Sequence, residues 1–169
     1  MSAVAAVIDI TALTNTQQRE PGPAAGLLFE VRGSGIHGSG VFAIEGIPKG
    51  TRLIEYLAER ITSAQMDARY ADDPSPHTFV FSVSDGSYLD ATTGGNEARF
   101  INHSCKPNCE SVEEEGRIYI ESTRAIREGQ ELSFDYGIVL EERHTKARKA
   151  FYGCKCAKRG CKGTMLADK

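Results

Sequence analysis

The chain has 169 residues, 40% of them apolar, and a formal net charge of −3, which suits one soluble globular domain with its own core. Between Glu141 and Lys169 nine Lys/Arg stand against three Asp/Glu, so the rest is acidic; this disfavours nucleic acid as a direct partner and suits a basic peptide or protein. No stretch has the length of a membrane span, Met1 to Ile10 lacks the basic start of a signal peptide, and five closely spaced cysteines suit a reducing, intracellular compartment better than a secreted disulfide framework.

Residues 1–25 are rich in Ala, Thr, Gln and Pro and close on Pro21-Gly22-Pro23, which predicts a flexible arm. Order is expected from Leu27-Leu28-Phe29-Glu30-Val31. Gly33, Gly35, Gly38 and Gly40 then make a glycine loop that enters a strand at Val41-Phe42-Ala43-Ile44. After the Pro48-Lys49-Gly50 turn, Arg52 to Ile61 reads as one strand. Thr62 and Gln65 have capping-box spacing, so a short helix is expected to Tyr70, broken by Asp72 to Pro76. Thr78 to Val83 and Tyr88 to Ala91 flank Asp85-Gly86, a hairpin signal. Asn96 to Ile101 is read as a helical turn. Arg117 to Ile126 and Glu131 to Tyr136 are read as strands around an Arg127-Glu128-Gly129-Gln130 turn. A helix is expected from Val139 to Ala150, before a cysteine tail. Many short strands, few helices and many glycines point to a mainly β fold of small curved sheets.

Four constellations carry chemistry. In Ile36-His37-Gly38-Ser39-Gly40-Val41-Phe42, glycine allows close approach of backbone to a ligand, although a GxG pair is usually only a turn. Asn102-His103-Ser104-Cys105 crowds a carboxamide, an imidazole, a hydroxyl and a thiol together; the plain alternative is a polar loop satisfying its own backbone. Phe134-Asp135-Tyr136 ends an apolar strand on a tyrosine, which elsewhere is often a structural anchor. In the tail, Cys154, Cys156 and Cys161 can surround one tetrahedral zinc. The fourth ligand must then be Cys105 or Cys109.

The ordered set Gly38-Ser39-Gly40, Glu55-Tyr56, Asp90-Ala91-Thr92, Arg99-Phe100-Ile101-Asn102-His103-Ser104-Cys105, Glu131-Leu132-Ser133-Phe134-Asp135-Tyr136-Gly137 and the cysteine tail resembles SET-domain protein lysine methyltransferases with a post-SET zinc motif. The resemblance runs from about Leu27 to Leu166. It implies a SET domain over residues 26–137, with one segment threaded under another loop, and a C-terminal helix and zinc tail over 138–169. It implies S-adenosylmethionine as methyl donor, held by Gly38, Ser39, Gly40, Val41, Phe79, Arg99, Phe100, Asn102 and His103. It implies structural zinc on Cys105, Cys154, Cys156 and Cys161, with Cys109 free. Where the family commonly has glycine, two residues after Tyr56, this chain has Ala58, so a local difference is expected there.

The implied reaction is methyl transfer to a lysine of a histone tail or another basic protein. Tyr56, Phe81, Phe134 and Tyr136 are the candidates for a lysine channel. Tyr136 stands at the family's catalytic tyrosine, and phenylalanine at position 134 leaves room for an amine that is already methylated, which predicts di- or trimethylation. The location follows the source: cytoplasmic in a bacterium, nuclear or chromatin-bound in a eukaryote or a host. The competing readings are a catalytically silent SET-fold module that binds peptide, and a zinc-stabilised interaction protein.

Overall fold

The computed structural model describes the backbone of residues 7–8 and, in full, residues 27–72, 75–76, 78–140 and 142–168. The strands are β1 (Val7–Ile8), β2 (Phe29–Gly33), β3 (Ser39–Ala43), β4 (Arg52–Glu55), β5 (Glu59–Ile61), β6 (Val80–Ser82), β7 (Tyr88–Asp90), β8 (Asn102–His103), β9 (Cys109–Glu114), β10 (Arg117–Ser122), β11 (Ser133–Phe134) and β12 (Ile138–Val139). Helix α1 (Ser63–Tyr70) follows β5, a 3-10 turn (Glu97–Phe100) precedes β8, and α2 (Lys146–Phe151) precedes the tail. The architecture is mainly β, with four small sheets among the described residues. One is five-stranded, ordered β12-β1-β6-β7-β5, and one three-stranded, ordered β4-β10-β9; β2–β3 and β8–β11 are two-stranded. Their inner faces meet in one core that includes Val41, Ile47, Phe81, Ile118, Ile120, Leu132, Phe134 and Ile138. A smaller cluster of Ile61, Met66, Tyr70 and Val80 seats α1. Among the described residues no helix is long and apolar enough to cross a membrane.

Several elements stand where their local chemistry puts them. Thr62 caps α1 and exchanges bonds with Gln65 in a full capping box. Gly86, at φ +83°, turns the β6–β7 hairpin, a conformation that favours glycine. Of the arm expected over residues 1–25, only Val7–Ile8 lies within the described residues, as β1. The expected helix break falls partly on residues outside the described set.

Three elements differ from expectation. Arg52 to Ile61 is two strands in different sheets. The chain turns at Tyr56-Leu57-Ala58, where the Asn96 amide donates to the Glu55 carbonyl (2.8 Å) and accepts from the Leu57 N–H (3.3 Å). Ala58 has no positive φ there, so alanine is not strained at the position where family members carry glycine. Next, β9 runs through an acidic stretch that does not look like a strand. Arg52 ties Glu114 (2.5 Å) to Glu121 (2.7 Å) across the sheet, and Glu115-Gly116, both at positive φ, make the two-residue turn into β10. Last, α2 begins at Lys146, capped by Thr145, because Ile138 and Val139 are held in β12 by strand pairing.

The Asn96 clamp is testable. Asn96→Ala leaves backbone groups at the corner without their partner and is expected to lower unfolding free energy by roughly 1–3 kcal/mol in urea titration. An unchanged midpoint would mean that the corner is held by packing alone.

Candidate active site

The site is assembled by the parallel pairing of β8 with β11, which sets Asn102 beside Ser133 and His103 beside Phe134. The Ser104 N–H donates to the Phe134 carbonyl (3.0 Å). Just past β11 the Tyr136 backbone N–H donates to His103 Nδ1 (3.1 Å), and the two rings meet edge to face at 5.3 Å. Nδ1 is therefore an acceptor, and the proton of the neutral ring belongs on Nε2, 3.4 Å from Cys105 Sγ. Burial pulls His103 below its ordinary pKa, against the opposing pull of the Asp135 carboxylate. His103 is thus a neutral, oriented ring at pH 7.

Asn102 works toward the glycine loop. Its Nδ2 donates to the Ser39 carbonyl and to Glu131 Oε1, both at 2.9 Å. Glu131 also accepts from the Ser34 hydroxyl (2.6 Å). This carboxylate packs against Gly40, where a Cβ would collide with it and lie 2.9 Å from the Ser34 side chain. Glycine at position 40 thus serves a close approach of a side chain to backbone. Val41 is wholly buried in the core, and its carbonyl accepts from the Leu132 N–H (2.8 Å).

Two cavities adjoin at Asn102 and Tyr136. The larger, about 480 Å³, is lined by Gly38, Ser39, Tyr70, Phe79, Thr92, Arg99, Phe100, Asn102 and Tyr136 among others. The smaller, about 180 Å³, shares His37, Pro76, Thr78, Asn102 and Tyr136 with it and adds His103, Phe151, Lys155 and Met165. The Arg99 guanidinium lies 4.9 Å over the Phe79 ring and 5.1 Å from that of Phe100, and its buried Nε has no hydrogen-bond partner among the described residues. Gly40 and Val41 line neither cavity.

The four aromatic residues form a continuous row. Tyr56 meets Phe81 at 4.5 Å, Phe81 stacks on Phe134 at 5.7 Å, and Phe134 meets Tyr136 at 4.8 Å. Phe81 and Phe134 are 0% and 2% exposed, so the row behind Tyr136 is closed. Only Tyr136 of the four borders the cavities. Its hydroxyl donates to the Ile101 carbonyl (2.9 Å), as that of Tyr56 does to Phe79 (3.0 Å). Burial pushes both phenols above the ordinary tyrosine range, so both keep their protons at neutral pH.

The sulfur atoms of Cys105, Cys154, Cys156 and Cys161 all lie within 4.8 Å of one another. Cys105 is 3.6 Å from Cys154 and 3.7 Å from Cys161. A tetrahedron with Zn–S bonds of about 2.3 Å has edges of about 3.8 Å, so four thiolates so spaced fit a closed structural zinc. Backbone N–H groups of Lys162, Cys156 and Gly163 point at three of the sulfurs. Cys109 stands apart, buried in the core, with its thiol pushed up to about 12 by burial. The tail returns to the site through β12: the Ile138 N–H donates to Met165 (3.0 Å) and its carbonyl accepts from Ala167 (2.9 Å).

Two contributors went unassigned in the sequence reading. Glu131 carries the link between Asn102 and the loop; a charged residue opening an apolar segment was its one signal. In the lining of the larger cavity the Tyr70 hydroxyl meets Asp90 (2.7 Å) and Thr92 (2.8 Å). Asp90 is fully buried and also takes Arg69 at 2.6 Å.

Comparison with known proteins agrees with this geometry. A family model described as SET domain matches residues 38–137. Over 139 residues the chain is 37% identical to the H3 lysine-4 specific histone-lysine N-methyltransferase of Chaetomium globosum, covering 78% of this chain and 12% of that protein. It is 35% identical to histone-lysine N-methyltransferase SETD1B of Homo sapiens, over 78% of this chain and 7% of that one. It is 38% identical to human histone-lysine N-methyltransferase 2B, over 76% and 5% respectively. The chain thus spans a small part of these relatives' length. With the asparagine–histidine strand laid against the tyrosine strand, four cysteines gathered beside them and this match over residues 38–137, the chain belongs to the SET-domain family.

Proposed function

We propose that this protein is a protein-lysine N-methyltransferase that moves a methyl group from S-adenosylmethionine to a lysine of a histone or another basic protein. The observation that carries the reading is the place of Tyr136, in the shared wall of two adjoining cavities. The larger suits the donor. Gly38 and Ser39 offer backbone there, Asn102 a polar edge, and Phe79, Phe100 and Arg99 flat faces for an adenine, while His103 borders the adjoining smaller cavity. The smaller, at the Tyr136 end, suits the lysine. Gly40 and Val41 help to hold the loop, through the close approach of Glu131 and burial in the core.

In the reaction the lysine nitrogen attacks the methyl carbon in line, the N–C bond forms as the C–S bond breaks, and the amine's proton leaves to solvent. The attacking amine must be neutral, although a free lysine has a pKa of about 10.4. Burial beside the donor's positive sulfur favours the neutral form. Tyr136 is too basic to have given up its own proton at neutral pH, so its part is positioning, which can be worth several kcal/mol. The row Tyr56–Phe81–Phe134 braces it from behind. Phe134 lies directly behind Tyr136, ring against ring at 4.8 Å, and brings no hydroxyl that could reach past it to fix a water near the amine, which favours di- or trimethyl product. Zinc on the four cysteines would tie the tail to the Asn102–His103 strand and so shape the lysine cavity. Where the substrate is a histone, the place of action is the nucleus or chromatin.

Labelled S-adenosylmethionine incubated with mixed histones and other basic proteins tests the reaction. Label is expected on a lysine, and Tyr136→Phe should lower kcat at least about a hundredfold while the donor still binds; absence of label with the unaltered protein would refute the reading. Mass spectrometry of the product is expected to show di- or trimethyl-lysine, shifted toward monomethyl by Phe134→Tyr; monomethyl alone at long times would contradict the role given to Phe134. Metal analysis should find one zinc per chain, lost in Cys156→Ser and kept in Cys109→Ser. Equal zinc in both variants would contradict the ligand set.

A further inference from the structure

Strand β1 is the piece that joins β12 to the β6-β7-β5 ladder. Val7 and Ile8 pair antiparallel with Val139 and Ile138, and Ile8 pairs parallel with Phe81. Without β1 these two edges face each other across an open strand slot. Each edge is otherwise fully engaged on its far side. On β6 the Phe79 carbonyl and the Val83 N–H bond to Ala91 and Ser87, so alternation along the strand turns Val80 and Ser82 toward the slot. On β12 both backbone groups of Ile138 bond to the tail, which leaves Val139 toward it.

The slot runs beside the proposed chemistry. Ile138 is two residues past Tyr136. Phe81 stacks on Phe134, which in turn meets Tyr136. An extended peptide laid here would add as a strand and present alternate side chains toward that row. The segment now in the slot cannot be methylated itself, since the first lysine of the chain is Lys49. Among the described residues it pairs through Val7 and Ile8.

We propose that the segment carrying Val7–Ile8 is an internal competitor, which keeps the strand slot beside Tyr136 closed until a basic substrate peptide displaces it. The inference rests on the methyltransferase reading for its consequence, but the occupancy of the slot can be measured without turnover. Being tethered, the segment acts at an effective concentration far above that of a free peptide.

The test is the full chain with Val7→Pro and Ile8→Pro together, since proline has no N–H to donate to the ladder. Amide exchange at Val80, Ser82 and Val139 is expected to speed up in the variant; equal exchange would overturn the proposal. A fluorescent histone H3 tail peptide should bind the variant at least about threefold more tightly, and its KM should fall by a similar factor with kcat and donor affinity unchanged. A synthetic peptide of residues 2–14 added to the variant should compete with the tail peptide and not with the donor. Loss of amide protection without tighter peptide binding would reduce β1 to a structural strand and sink the competitor role. If neither protein transfers methyl but the exchange and binding changes appear, the slot assignment stands and the catalytic reading fails.

Discussion

The parallel contact between Asn102–His103 and Ser133–Phe134 is the constraint from which the rest of the site follows. A parallel pair cannot be closed by a tight turn, and here the connection between the two strands contains the β9–β10 hairpin. That hairpin packs into the core through Ile118 and Ile120 and braces the pairing from outside. From the two strands project four groups with separate tasks. The Asn102 amide reaches the glycine loop through Ser39 and Glu131. The His103 ring is oriented by the Tyr136 backbone. Cys105, two residues on, joins the cysteine tail. Tyr136, two residues past the other strand, borders both cavities.

Burial decides the charge state of this ensemble. It holds the His103 ring neutral and keeps the Tyr56 and Tyr136 phenols protonated. The groups around Tyr136 therefore act as fixed dipoles and as walls. Such a site is suited to moving a cationic methyl group between neutral atoms, because preorganised dipoles need not rearrange as the charge moves. Two carboxylates near it are tied to neighbouring groups. Glu131 is spent on Asn102 and Ser34, and Asp90 on Tyr70, Thr92 and Arg69.

Much of this was legible in the chain, and what was not has physical reasons. The capping box at Thr62–Gln65 and the Asp85-Gly86 hairpin are local, so spacing alone revealed them. The motif residues could be named in order, but not their neighbours, because the Glu131–Gly40 contact spans ninety-one positions and rests on the absence of a Cβ. The break between β4 and β5 depends on Asn96, forty residues away, and β9 on Arg52 neutralising an acidic run. The helix read over Val139 failed because strand pairing on both sides of β12 overrode local preference. The aromatic row was legible as a set of residues; that Phe81 and Phe134 would be sealed in the core was not.

The proposed function depends on a division of labour, in which Asn102 would serve the donor and Tyr136 the lysine. Calorimetric titration of the protein with S-adenosylmethionine tests it most directly. The account predicts one donor bound per chain by the unaltered protein and by Tyr136→Phe, and donor binding lost in Asn102→Ala. Equal binding by Asn102→Ala, or no binding by the unaltered protein, would contradict it.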